Sequence, residues 1–233
     1  KRSPLQGGSR GAGPDPKRAR DGAGSGGEPC SFLSWNANNL PDRLGSKSDL
    51  AAFEGVLDSE RPDCVLIQEV QVRGDDAMRG EFSMHGSPSD VRAINSAFAS
   101  SKQLQQFTRP VWSLAGERMH GTGLLIRKGI ARPKLRFNIL PGAAASDHHP
   151  QGRVILAEWP SGLSLLNTYA PNNGSGVVGE ENERRAGTLA RRAAWDAEAE
   201  AFVRRCREEG RYLVWMGTAQ LAEPCSRSRC GAM

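Results

Sequence analysis

The chain has 233 residues, 38% of them hydrophobic, with a mean hydropathy of −0.52 and a formal net charge of +5. That length suits one domain, or one domain with a tail. No apolar run approaches the roughly 20 residues of a membrane helix and nothing reads as a signal peptide, so neither a membrane partner nor secretion is expected. Five cysteines, Cys30, Cys64, Cys206, Cys225 and Cys230, are an odd number without paired ligand spacing, which argues against zinc and for a reducing compartment. The positive charge is concentrated in residues 1–29, where six Lys and Arg face three acids. The body is only weakly basic, and charge alone does not establish a polyanionic partner.

Residues 1–29 are Gly, Ser, Pro and Arg with almost nothing apolar. They cannot bury enough surface to offset the entropy of ordering and read as a disordered tail. Within them "PKRAR" (16–20) fits a nuclear-import patch as well as a solvated basic stretch. "CSFLSW" (30–35) is a buried strand that feeds Asn36. "KSDLAAFEGVLDSE" (47–60) spaces Leu50, Phe53, Val56 and Leu57 as one helical face, with Ser48 as the expected N-cap. "DCVLIQEV" (63–70) is a second strand. Residues 72–110 are polar and ambiguous apart from a candidate helix, "DVRAINSAFAS". "GTGLLIRKG" (121–129) is a strand, and "RVILAEWPSGLSLLNTYAP" (153–171) is a hairpin turning at Pro160–Gly162. A long amphipathic helix over 182–210 stops at Gly210, and "RYLVWMG" is the last strand. Strands alternating with helices, each strand ending in a polar loop, predict an α/β layered sandwich with its site at the strand ends.

Two of these strands end in oxygen-bearing side chains, Asn36 in "LSWNANNL" and Glu69 in "VLIQEVQ". A hard cation such as Mg²⁺ takes one or two carboxylates plus waters and substrate phosphate. Glu69 offers the carboxylate, and Asn36 an amide oxygen or an orienting hydrogen bond. Either residue alone also suits an ordinary polar strand end.

The series "SWN", "PDCVLIQE", "GTGLLIRKG", "QGRVILAEW", "NTYAPN", a helix with "WD", then "LVWMG" resembles, in content and order, the exonuclease III/abasic-site endonuclease family of the endonuclease/exonuclease/phosphatase superfamily. The resemblance covers residues 30–222. It implies a four-layer α/β sandwich, lacking its C-terminal part, with a divergent tail over 223–233. It also implies a monomeric, Mg²⁺-dependent phosphodiesterase, with Mn²⁺ as the alternative ion, that cuts DNA 5′ to abasic sites in base-excision repair; with the "PKRAR" patch, work in the nucleus is expected, the cytoplasm being the alternative. By that resemblance Glu69 is the principal metal ligand and Asn36 stands beside metal and phosphate. Tyr169 donates to the scissile phosphate, Asn172 contacts a phosphate, and Arg153 lies near bound DNA. Strand-end packing for Tyr169, loop capping for Asn172 and simple solvation for Arg153 are the structural alternatives.

The sequence also departs from the pattern. The family continues its last strand as Gly-Asp-x-Asn, whereas here Gly217 is followed by Thr218 and, two further on, Gln220. Asn38 stands where an acid is common and Gln71 where a lysine is usual. The further Asp and closing Asp-His pair of the family are absent from "EPCSRSRCGAM". "SDHH" (146–149) reads as a solvated loop rather than a substitute. A sheet with uncovered edges is therefore expected. The competing readings are a non-catalytic binder of nucleic acid or protein, and another phosphoesterase acting on RNA tails, phosphoinositides or sphingolipids.

Overall fold

A computed structural model describes residues 26–74, 80–81, 88–115, 120–142, 149–172 and 182–218. In chain order the elements are β1 (Phe32–Asn36), α1 (Leu40–Gly45), α2 (Lys47–Glu60), β2 (Cys64–Gln68), β3 (Gly80–Glu81) and α3 (Pro88–Ser100). A 3₁₀ turn at Leu104–Gln106 leads to β4 (Val111–Ser113), β5 (Thr122–Ile126), β6 (Lys134–Arg136), β7 (Val154–Glu158), β8 (Leu163–Tyr169), α4 (Asn182–Glu208) and β9 (Tyr212–Thr218). The strands form two sheets, one in the order β1-β2-β5-β4-β3 and the other β6-β7-β8-β9.

Alternation along the strands builds three apolar layers. Val65 and Ile67 of β2 face α1, α2 and α3 through Leu40, Phe53, Leu57 and Ile94. Cys64 and Leu66 face the opposite sheet, meeting Ile155, Ala157 and Leu165. Val154, Leu156 and Leu166 turn outward onto Trp195, Ala199 and Phe202 of α4. The result is helix, sheet, sheet, helix, and strands buried on both faces explain why β2 and β7 read as continuous apolar runs. One polar bridge crosses the inter-sheet layer. Gln68 Nε2 donates to Asn167 Oδ1 at 2.8 Å, while Asn167 Nδ2 donates to the Ile67 and Gly123 carbonyls at 3.1 and 2.8 Å.

Local chemistry sets the boundaries. The N-cap of α2 is Ser46, not Ser48: its hydroxyl accepts the Asp49 N–H at 3.3 Å, two residues earlier than expected. The turn at Pro160–Gly162 closes β7 onto β8 as the sequence implies, with Trp159 N–H donating to the Leu163 carbonyl at 2.8 Å. β9 lies parallel to β8 at the edge of its sheet, with Tyr212 and Trp215 exposed. Most of the tail (residues 1–25), Gln220, Cys225 and Cys230 lie outside the described residues, as does the segment 223–233. Cys64 and Cys206 form no disulfide among the described residues, and the Cys30 thiol donates to Asp63 Oδ2 at 3.3 Å.

Candidate active site

The ends of two parallel strand pairs, one from each sheet, meet at one corner. β1 delivers Asn36, β2 delivers Gln68 and then Glu69, β8 delivers Tyr169, and β9 delivers Thr218. The register aligns Tyr169 with Thr218 across the β8–β9 pair, and Asn36 with Gln68 across β1–β2. Gly217 permits the close approach of β8 and β9: a Cβ there would stand 2.0 Å from the Thr168 carbonyl oxygen.

The corner is held by one connected set of hydrogen bonds. Asn36 Nδ2 donates to Glu69 Oε1 at 2.7 Å and to Thr218 Oγ1 at 3.2 Å. Asn36 Oδ1 accepts the Asn38 N–H at 3.1 Å. With its nitrogen on the carboxylate, Asn36 orients Glu69, one of the two roles expected for it. Gln71 Nε2 reaches Asn38 Oδ1 at 3.3 Å and Glu69 Oε2 at 3.5 Å. The Tyr169 hydroxyl bonds to the Glu69 side chain. Burial, then the Glu69 charge and that hydrogen bond, raise the phenol above its usual range, against the opposing charge of Arg153.

Arg153 is buried beneath Tyr169, only 4% exposed. Its Nη1 donates to the Tyr169 carbonyl at 2.8 Å, Nε to Gln151 Oε1 at 2.7 Å, and its guanidinium carbon lies 4.9 Å from the centre of the Tyr169 ring. An arginine so buried is not a simply solvated one. Burial, with lesser opposing effects from its charged neighbours, lowers its pKa to about 10, so it remains a cation at neutral pH. His120 flanks the guanidinium, with both ring nitrogens 3.2–3.3 Å from Nη2. Burial first, then the Arg153 charge, bring the His120 pKa down to about 4 against the pull of Glu69. The imidazole is neutral at pH 7.

Six described non-glycine residues have positive φ, and five of them surround this corner: Asn38, Asn39, Glu69, Gln71 and His120. Left-handed backbone at such residues costs on the order of 1–3 kcal/mol each and concentrates where function fixes a geometry. Asn172 stands apart from the connected set, exposed on the loop that follows Tyr169. His149 is not the solvated loop residue expected. It packs edge-on against Trp195 with ring centres 5.4 Å apart, and Nδ1 accepts the Gln151 N–H at 3.1 Å. Ser146, Asp147 and His148 lie outside the described residues. His120, Gln151 and Asn167 were not singled out from sequence. Gln151 sits inside the quoted "QGRVI", but one motif position drew attention to arginine alone.

The chain matches the Endonuclease/Exonuclease/phosphatase family over residues 33–217. It belongs to that family. Within this endonuclease/exonuclease/phosphatase group it is similar to a DNA-(apurinic or apyrimidinic site) endonuclease of Arabidopsis thaliana, 34% identical over 216 residues, covering 85% of this chain and 54% of the relative. A protein of the same name from Plasmodium falciparum is 27% identical, covering 82% of this chain and 32% of its own length. The chain thus spans about half or less of these relatives. Among solved structures, the AP endonuclease LMAP of Leishmania major superposes with a TM-score of 0.53 at 19% identity, covering 80% of this chain and 54% of that one. The Xenopus laevis APE2 catalytic domain gives 0.52 at 12%, covering 81% and 57%. These two likenesses establish the fold, and the two-sheet, four-layer arrangement follows it.

Proposed function

We propose that this protein is a DNA-repair phosphodiesterase that cuts the backbone 5′ to an abasic site, leaving a 3′-hydroxyl, with Mg²⁺ or Mn²⁺ as its ion. The observation that carries the reading is the linked set Asn36–Glu69–Tyr169 at the ends of β1, β2 and β8. The similarity to relatives named as apurinic/apyrimidinic endonucleases supports the substrate. "PKRAR" in the tail supports work in the nucleus.

The donor set suits a hard cation held sparingly. Among the described residues there is no group of three or more His, Cys, Asp or Glu that could hold a metal. Glu69 is the one carboxylate of the connected set, and Mg²⁺ commonly rests on one or two carboxylates with waters and substrate phosphate making up the rest. Glu69 would hold the ion, which when bound neutralises charge on the phosphate.

The chain's own groups do the remaining work. Asn36 fixes one carboxylate oxygen of Glu69, and Gln71 lies against the other. Tyr169 supplies an O–H donor whose raised pKa keeps it protonated at neutral pH. Such a donor stabilises developing charge on a phosphate oxygen, typically by a few kcal/mol when well placed. Asn172, exposed beside it, is placed to meet a neighbouring phosphate.

Thr218 favours a second reading, a relative that grips DNA without cutting it. Its hydroxyl occupies the side of Asn36 where a carboxylate would serve as base or ligand, and a threonine cannot accept a proton near neutral pH. Incubation of the full chain with an abasic duplex and Mg²⁺ separates the two. A nick 5′ to the lesion supports the enzyme. Tight binding of an uncut duplex supports the binder, and cleavage of a different phosphoester overturns both.

A further inference from the structure

Arg153 presents an unusual economy. A buried cation is costly unless its donors are satisfied, yet among the described residues no carboxylate forms an ion pair with this one; neutral groups and an aromatic face take up its fork. Gln151 Oε1 receives Nε at 2.7 Å, the Tyr169 carbonyl receives Nη1 at 2.8 Å, His120 lies on Nη2, and the plane covers the Tyr169 ring. The arrangement is prepared from both sides. Gly152 adopts φ +60°, and a Cβ there would stand 2.5 Å from the Ser113 carbonyl oxygen. That tight turn drops Arg153 beneath β8. His120 is in turn tied to the Glu69 turn by the main chain: Gln71 N–H donates to the His120 carbonyl at 2.9 Å and Val70 N–H to that of Gly121 at 3.2 Å.

We propose that Arg153 is a positioning residue, steered by Gln151 and His120, that holds the Tyr169 ring in the orientation that sets its hydroxyl on Glu69. His120 links the carboxylate arm of the site to the tyrosine arm, so the two move together. The use of this device in cleavage rests on the nuclease reading; the device itself does not. The alternative it displaces is an arginine that touches DNA. The two differ in what they disturb. Loss of a DNA contact weakens binding, whereas loss of a clamp beneath Tyr169 leaves binding and disorders one ring. Misplacing a reacting group by an ångström costs on the order of a hundredfold in rate.

The chain contains only two tyrosines, Tyr169 and Tyr212, which makes a direct test practical. The full chain, labelled with 3-fluorotyrosine and carrying Tyr212→Phe, gives a single ¹⁹F resonance. Gln151→Ala and His120→Ala, each removing one steering group near the surface, should broaden or split that resonance while the urea midpoint stays close to the parent. Arg153→Lys should not restore the parent line, because an ammonium cannot reproduce the three-way fork. An unchanged line in Gln151→Ala, His120→Ala and Arg153→Lys overturns the proposal. Affinity for an abasic duplex should remain within about twofold, and any nicking rate should fall on the order of tenfold to a hundredfold. A tenfold loss of affinity with an unaltered line would assign Arg153 to DNA contact instead. A broadened line in a chain that never nicks leaves the clamp standing and sinks the nuclease reading.

Discussion

Asn167 is the test of what holds the site's two halves in register. Its side chain is 1% exposed, takes one hydrogen bond from Gln68 and gives two to the Ile67 and Gly123 carbonyls. Gln68 immediately precedes Glu69, and Asn167 lies two residues before Tyr169. Asn167→Leu keeps the branch and removes every polar atom. Three hydrogen bonds at about 1 kcal/mol each are lost, and stranding the Gln68 amide adds about 1–3 kcal/mol. New apolar burial returns about 1–2 kcal/mol. The net expectation is a loss of about 3 kcal/mol. With urea slopes of about 1–3 kcal/mol/M, the unfolding midpoint should fall by about 1 M or more. Adding Gln68→Leu should recover part of the loss, because removing both partners is far cheaper than stranding one. Urea titration followed by tryptophan fluorescence measures both. A shift under about 0.3 M at unchanged slope, or a double variant worse than the sum of its parts, refutes the bridge as a stabilising link between the sheets.

Further outcomes follow from the same structure. Ser164 is 1% exposed and its hydroxyl finds no partner among the described residues, so Ser164→Ala should raise the urea midpoint, with a gain of up to about 1 kcal/mol; a marked fall would show an acceptor that the reasoning missed. His149 has its pKa lowered to about 4, chiefly by burial and then by Arg153 and His120. The unfolded chain takes up this proton from about pH 6.5 downward, while the folded chain resists until about pH 4. Stability should therefore decline across that window and level off below it. His120 contributes in the same direction. His149→Asn keeps an acceptor for the Gln151 N–H and should flatten part of that decline, and an identical pH slope would count against it. Thr218→Asp places a second carboxylate beside Asn36 and Glu69, so Mn²⁺ affinity measured by calorimetry should tighten roughly tenfold from added charge alone. An unchanged affinity would mean that the ion does not sit at this corner.

The sandwich was legible because its central strands are buried on two faces. Runs such as "CVLIQ" and "VILAE" declare themselves without long-range information, and Gly210 and the Pro160–Gly162 turn punctuate them. β6 escaped notice because it is three residues long with charges on its outward face, and α1 because only six residues of it follow a loop of asparagines. Ser46 escaped notice as the cap because Ser48 lies within the same turn, and which serine caps is decided by which N–H lies opposite its hydroxyl. Glu69, Asn36 and Tyr169 were readable as strand ends. The depth of Arg153 was not, since an arginine beside a strand looks solvated until the Gly152 turn is seen to tuck it under Tyr169. His120 and Asn167 act through partners 33 and 99–100 residues away or across the sheets, a relation that no local pattern carries.

The most direct measurement is nicking of a duplex with one central abasic site by the full chain in Mg²⁺, beside Glu69→Gln and Tyr169→Phe. The account predicts a Mg²⁺-dependent cut on the 5′ side in the parent, abolished in the first variant and reduced on the order of a hundredfold or more in the second. Cleavage that survives Glu69→Gln, or that proceeds equally in the presence of a chelator, would contradict it.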